Sequence, residues 1–175
     1  MKIGFIGVGT LSAAVVSAMA RKFPNRTIYL SPRSDNKTTA LSALHANVHR
    51  LDSNQAVIDA SDMVMLGMLP PQAEKVLREL SFAEHHIVVS FVAGISAHDI
   101  REMVSPAQRV CRVTPITTIE LFAGPITMFP AFDEVIEAFT GLGEIISVPG
   151  EQDMKLLGCS SAILSTYFEF QNTVI

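Results

Sequence analysis

Short apolar runs alternate with stretches of helical spacing from the first residues to about position 150. Ile3, Phe5 and Ile6 form the first run, Thr27 to Leu30 the second, a minimal Val48-His49 the third and Asp62 to Leu69 the fourth. Later runs cover Ile87 to Val92, Arg109 to Val113, Ile126 to Phe129 and Glu144 to Val148. Runs of this length bounded by Gly, Pro and polar residues predict strands, and their near-continuous apolarity predicts burial on both faces. Between them, helices are expected over Leu11 to Lys22, Lys37 to His45, Gln55 to Ala60, Gln72 to Leu80, Ala97 to Met103 and Asp133 to Phe139. Pro24-Asn25 breaks the first helix, Pro70-Pro71 ends the fourth strand and Gly141-Leu142-Gly143 makes a turn. This alternation predicts an α/β fold, a doubly wound and mostly parallel sheet with helices on both faces and ligands at the carboxyl ends of the strands.

No repeat, low-complexity tract or Ser/Gly linker divides residues 1–150, which predicts one domain there. Residues 151–175 differ in character. Helical spacing continues from Gln152 to Ile175, and Leu156 to Phe168 carries no charge, a stretch too short to span a membrane. Gly158, Cys159, Ser160, Ser161 and Ala162 permit close approach, while Leu164, Tyr167 and Phe168 need a partner surface. No Gly or Pro stop precedes Ile175, so the natural polypeptide is expected to continue.

At 175 residues and 19.0 kDa the chain can fill one domain with little left over. Hydrophobic residues make up 49% and charged residues 17%, with mean hydropathy +0.35, so apolar surface must be buried in a sheet or at an interface. A net charge of -4 without a Lys/Arg run argues against a nucleic-acid partner or an anionic membrane. The N-terminus enters a strand directly, without the charged and apolar regions of a secretory leader, so a cytoplasmic location is expected. Cys111 and Cys159 are far apart and lack metal-ligand spacing, which predicts buried thiols and no metal site.

The candidate chemistry begins where the first strand ends. Gly7 allows a sharp turn, Gly9 allows the main chain to approach a diphosphate, and the helix that follows directs unpaired N–H groups at the anion. The third glycine of the usual fingerprint is replaced by Ser12, still small enough for helix and strand to pack closely. In an NAD site the second strand ends in an acid that holds the ribose hydroxyls. Here it ends Leu30-Ser31-Pro32-Arg33-Ser34, and Arg33 with flanking hydroxyls suits a 2′-phosphate, because guanidinium donates paired charge-assisted hydrogen bonds. NADP(H) is thus expected over NAD(H), with Lys37 placed to assist. His45, His49, His85, His86 and His98 fall on expected loops or surfaces and take no catalytic role. Met63, Met65 and Met68 fit core packing or the lining of a nicotinamide pocket.

In order and spacing, GFIGVGTLSAA, the SPRS turn, VMLGMLPPQ, IVVSFVAGIS, RVTPITT and the glutamate-led helix near Gly158 resemble the pyrroline-5-carboxylate reductase family. The resemblance implies a Rossmann domain binding NADPH or NADH over residues 1–150, and over residues 151–175 the first helix of an incomplete helical domain for dimerisation and substrate. It implies a homodimer in proline biosynthesis, with hydride passing from NADPH to a cyclic imine. Cofactor contacts then map to Gly7, Gly9, Thr10, Leu11, Ser31, Arg33, Ser34, Met68, Leu69, Pro70, Ala93 and Gly94. Substrate contacts map to Thr114, Pro115, Thr117, Ser160 and Ser161. The chain departs from the family at Leu69, which replaces a lysine, at Ile116, which replaces an asparagine, and along Cys159 to Leu164. No catalytic acid is assigned, since a protonated imine accepts hydride readily. Alternatives are a deazaflavin-linked, ketopantoate-type or prephenate-type reductase, whose substrate would be a carbonyl compound in some cases, or an NADP-binding module without catalysis.

Overall fold

The computed structural model describes residues 1–158. Alternation runs through β1 (Ile3–Ile6), α1 (Thr10–Lys22), β2 (Ile28–Leu30), α2 (Asp35–Leu44), β3 (Val48–Arg50), α3 (Asn54–Asp59), β4 (Met63–Leu66) and α4 (Pro70–Arg78). It continues with β5 (Ile87–Ser90), α5 (Ala97–Met103), β6 (Arg109–Pro115), a 3₁₀ turn (Thr117–Leu121), β7 (Pro125–Phe129), α6 (Asp133–Phe139) and β8 (Glu144–Ser147). A last helix, α7, covers residues 151–158.

The strands form one sheet of eight in the order β3-β2-β1-β4-β5-β6-β7-β8. Neighbours are parallel except β6 and β7, which pair antiparallel with Thr114 opposite Thr127. The order reverses direction at β1 and β4, the crevice where α/β sheets hold ligands.

Side chains alternate between two cores, one on each face of the sheet. Ile3, Phe5, Met63, Met65, Ile87 and Val89 join the core shared with α1 and α6, whereas Ile6, Val64, Leu66 and Val88 join that of α3, α4 and α5. Met63 and Met65 are therefore core residues. Cys111 is buried, and burial pushes its thiol up to about 12, so it stays protonated at neutral pH. Cys159 lies outside the described residues.

Four expectations are corrected. The fourth strand stops at Leu66: the Gly67 N–H still donates to the Ile6 carbonyl at 2.9 Å, but Pro70 soon opens α4, where a missing N–H costs nothing. The 3₁₀ turn was not expected. Nor was the reversal at β7; residues 116–124 are too few for the crossover that a parallel neighbour requires. His86 is only 3% exposed, and its Nδ1 accepts the Ala83 N–H at 2.9 Å, which a solvated histidine would not need to do.

Candidate active site

The turn after β1 uses its two glycines differently. Gly7 has φ +86°, a left-handed backbone that favours glycine, and a Cβ there would meet the Gly67 carbonyl carbon at 3.0 Å. Gly9 has φ −76°, which any residue can adopt, and a Cβ there would have no neighbour within 4 Å. Packing therefore does not require Gly9. The open space before it adjoins the N-terminus of α1 and fits a diphosphate approaching the main chain. Ser12, buried at the position of the missing third glycine, lies against Gly67.

Ser31 has a different role from the expected one. It is fully buried, and its Oγ accepts a hydrogen bond from the Gly7 N–H at 3.1 Å, so it pins the glycine turn from beneath instead of facing a ligand.

A first cleft of about 380 Å³ brings together Gly7, Gly9, Thr10, Arg33, Ser34, Lys37, Met68 and Leu69. Ser34, in the left-handed region at φ 68°, precedes α2, and its carbonyl accepts the Lys37 and Thr38 N–H groups; Arg33 and Lys37 line the same space. The Lys37 ammonium donates to the Thr10 Oγ1 at 2.9 Å, bridging α2 to the start of α1. Asp35, the nearest acid in sequence, is ion-paired with Arg50. No acid is among the described residues lining this cleft.

The cleft leads into a second space of about 250 Å³ lined by Leu11, Pro70, Phe91 and Ala93 as well as Thr10, Met68 and Leu69. Phe91 and Ala93 also border a third of about 600 Å³, formed by Ser90, Gly94, Ser96, Asp99, Arg112, Thr114, Met154, Lys155 and Gly158. Together the three make a groove along the carboxyl edge of the sheet, and we call the last the far cleft. Ser96 donates a hydrogen bond to Asp99 at 2.6 Å, and this bond holds the aspartate carboxyl below the usual range, so Asp99 is a carboxylate at neutral pH.

Most of the expected site residues thus line one groove. Pro115 is buried and Thr117 is exposed at the start of the 3₁₀ turn; neither is among the residues lining the three spaces. Ser160 and Ser161 lie outside the described residues. Asn54, Gln72, Phe91, Ser96, Asp99, Arg112 and Lys155 also line the groove and were not expected. Arg112 carried a signal: a charged residue inside the apolar run of β6 needs a buried partner. Among the described residues no cluster of three or more His, Cys, Asp or Glu could hold a metal, and no helix is long and apolar enough to cross a membrane.

A glycine turn at the switch point, a basic mouth lined by no acid among the described residues and a groove across the strand ends define a dinucleotide-binding domain. Residues 2–94 match the family described as NADP oxidoreductase, coenzyme F420-dependent. The chain belongs to that family, and it is a distant homologue of the pyrroline-5-carboxylate reductases over nearly its full length. It is 30% identical over 171 residues to pyrroline-5-carboxylate reductase 1 of Bacillus subtilis, covering 93% of this chain and 52% of that protein. The pyrroline carboxylate reductase of Plasmodium falciparum with NADP bound superposes with TM-score 0.80 at 20% identity, over 97% of this chain and 66% of that one. A reductive aminase of Aspergillus terreus in complex with NADPH and ethyl-5-oxohexanoate gives TM-score 0.76 at 18% identity, over 97% and 63%. The chain spans about half the length of the curated relatives it matches.

Proposed function

We propose that this chain is the cofactor-binding part of an NADPH-dependent imine reductase, with a cyclic imine such as pyrroline-5-carboxylate as substrate. The observation that carries the reading is the row of three adjoining spaces with shared walls, from a basic mouth, past the glycine turn, to a cleft large enough for a small ring. When bound, NADPH supplies the hydride.

Gly7, Gly9 and the first N–H groups of α1 hold the diphosphate. Arg33, Ser34 and Lys37 take the 2′-phosphate, and the absence of a lining acid disfavours NADH. Leu11, Pro70, Phe91 and Ala93 shield the nicotinamide end from water. Thr114 and Gly94 border the space where the C=N carbon meets it. An iminium needs no strong acid to accept hydride, which is consistent with the ionised Asp99. Residues 151–158 begin the segment through which two copies pair, and they already form one wall of the far cleft.

The test is NADPH oxidation on adding pyrroline-5-carboxylate to the full-length protein, followed by loss of cofactor absorbance. Turnover supports the reading. Tight NADPH binding with no turnover on any cyclic imine would replace it with a non-catalytic NADP-binding module.

A further inference from the structure

One carboxylate oxygen joins three walls of the far cleft. Oε1 of Glu151, at the start of α7, accepts the Arg112 Nη1 of β6 at 2.7 Å and the Ala97 backbone N–H of α5 at 2.9 Å. The two side chains are 10% and 24% exposed, so the pair is largely shielded from water. Among the described residues Arg112 Nε is buried without a hydrogen-bond partner, and Glu151 is the carboxylate that compensates the guanidinium. Each joined element lines the cleft: β6 through Thr114, α5 through Asp99, and α7 through Met154 and Lys155. None of the three elements lines the first cleft, so the joint belongs to one end of the groove alone.

We propose that Glu151 is the positioning residue of the far cleft. Through Arg112 and Ala97 it sets where α7 lies against the strand edge, and so it sets the fit of the imine and not the affinity for NADPH. The inference rests on the imine reductase reading. Removing the carboxylate leaves a buried cation and a main-chain donor unpaired, and the cheapest relief is for α7 to shift and admit water, which opens the cleft. Glutamine keeps an acceptor but loses the charge, so its effect is smaller.

The test uses the full-length protein with Glu151→Ala, Glu151→Gln and the double replacement Arg112→Met with Glu151→Leu. Glu151→Ala should raise KM for pyrroline-5-carboxylate about tenfold or more, while the NADPH Kd stays within about twofold. The double replacement, which removes the buried charges together, should recover thermal stability but not KM. In the same variants the Ala97 amide and those of residues 151–158 should exchange hydrogen faster, with the Gly9 and Thr10 amides unchanged.

An unchanged KM in Glu151→Ala overturns the proposal, as does a rise in NADPH Kd that parallels KM, which would mean general loosening of the fold. If the unaltered protein reduces no imine, the reductase reading fails separately and amide exchange decides. Unchanged exchange at Ala97 and residues 151–158 then overturns the positioning role.

Discussion

Ser12 stands so close to Gly67 that a Cβ on the glycine would lie 1.9 Å from the serine Oγ and 2.5 Å from the Gly7 carbonyl oxygen. Helix α1, the turn after β1 and the loop after β4 therefore meet at one point with no room for a methyl group. Gly67→Ala should lose about 3 kcal/mol of stability, the upper end for overpacking. Ser12→Gly in the same chain should recover only part of it, because the backbone contact with Gly7 remains. Urea denaturation of the single and double variants measures both effects.

Gly9 makes the opposite case. With no neighbour within 4 Å of its missing Cβ and φ at −76°, Gly9→Ala should change stability by less than about 0.5 kcal/mol. NADPH affinity should fall about tenfold, equal to about 1.4 kcal/mol, because the added methyl group occupies the diphosphate's approach. Equal NADPH affinity in the variant would show that the ligand does not pass this point.

Arg33→Ala separates the two nicotinamide cofactors. Loss of a charge-assisted hydrogen bond of about 1.5–3 kcal/mol should weaken NADPH by roughly 10- to 100-fold and leave NADH unaffected. The chain has no tryptophan, so nucleotide fluorescence can be titrated with little protein background. Equal losses for both cofactors would refute the 2′-phosphate role.

Acid should destabilise the fold through His86. Burial, and then the charge of His85, hold its pKa below the ordinary value of 6.5, against weaker opposition from Asp59 and Asp62. Between the folded and unfolded values the unfolded state binds more protons, so stability rises with pH. The contribution is complete above 6.5 and is lost as pH falls through the folded value. Unfolding midpoints should therefore drop from about pH 7.5 to about pH 5.5. His86→Asn, which can still accept the Ala83 N–H, should flatten the profile in part, since burial depresses His45 as well.

Where a single element carries its own boundary signals, the sequence is sufficient. Helix α5 was expected at its observed bounds, and Ser96 caps it by accepting the Asp99 N–H at 3.0 Å. Helix α6 was likewise expected at its observed bounds, with two acids in its first turn. The glycine turn, and the position of Arg33 at the cleft beside it, were legible for the same local reason. What escaped depends on partners distant in the chain. The direction of β7 follows from the length of its connection, and Ser31 faces inward because Gly7 supplies a donor 24 residues away. Arg112 gained its meaning only when Glu151, 39 residues later, closed on it.

The reversal at β7 also decides where the polypeptide goes next. Strand β6 runs past the end of its neighbour β5, so that Ser90 is level with Arg112 and residues 113–115 project beyond it. Strands β7 and β8 start from that projection and run back toward the level of Arg112. A short turn at residues 148–150 then suffices to deliver Glu151 to the cofactor edge, and Gly158 is itself part of the far cleft. The antiparallel pair thus acts as a delivery route: it brings the chain back to the strand ends, so that α7 lies along one wall of the far cleft from Met154 to Gly158.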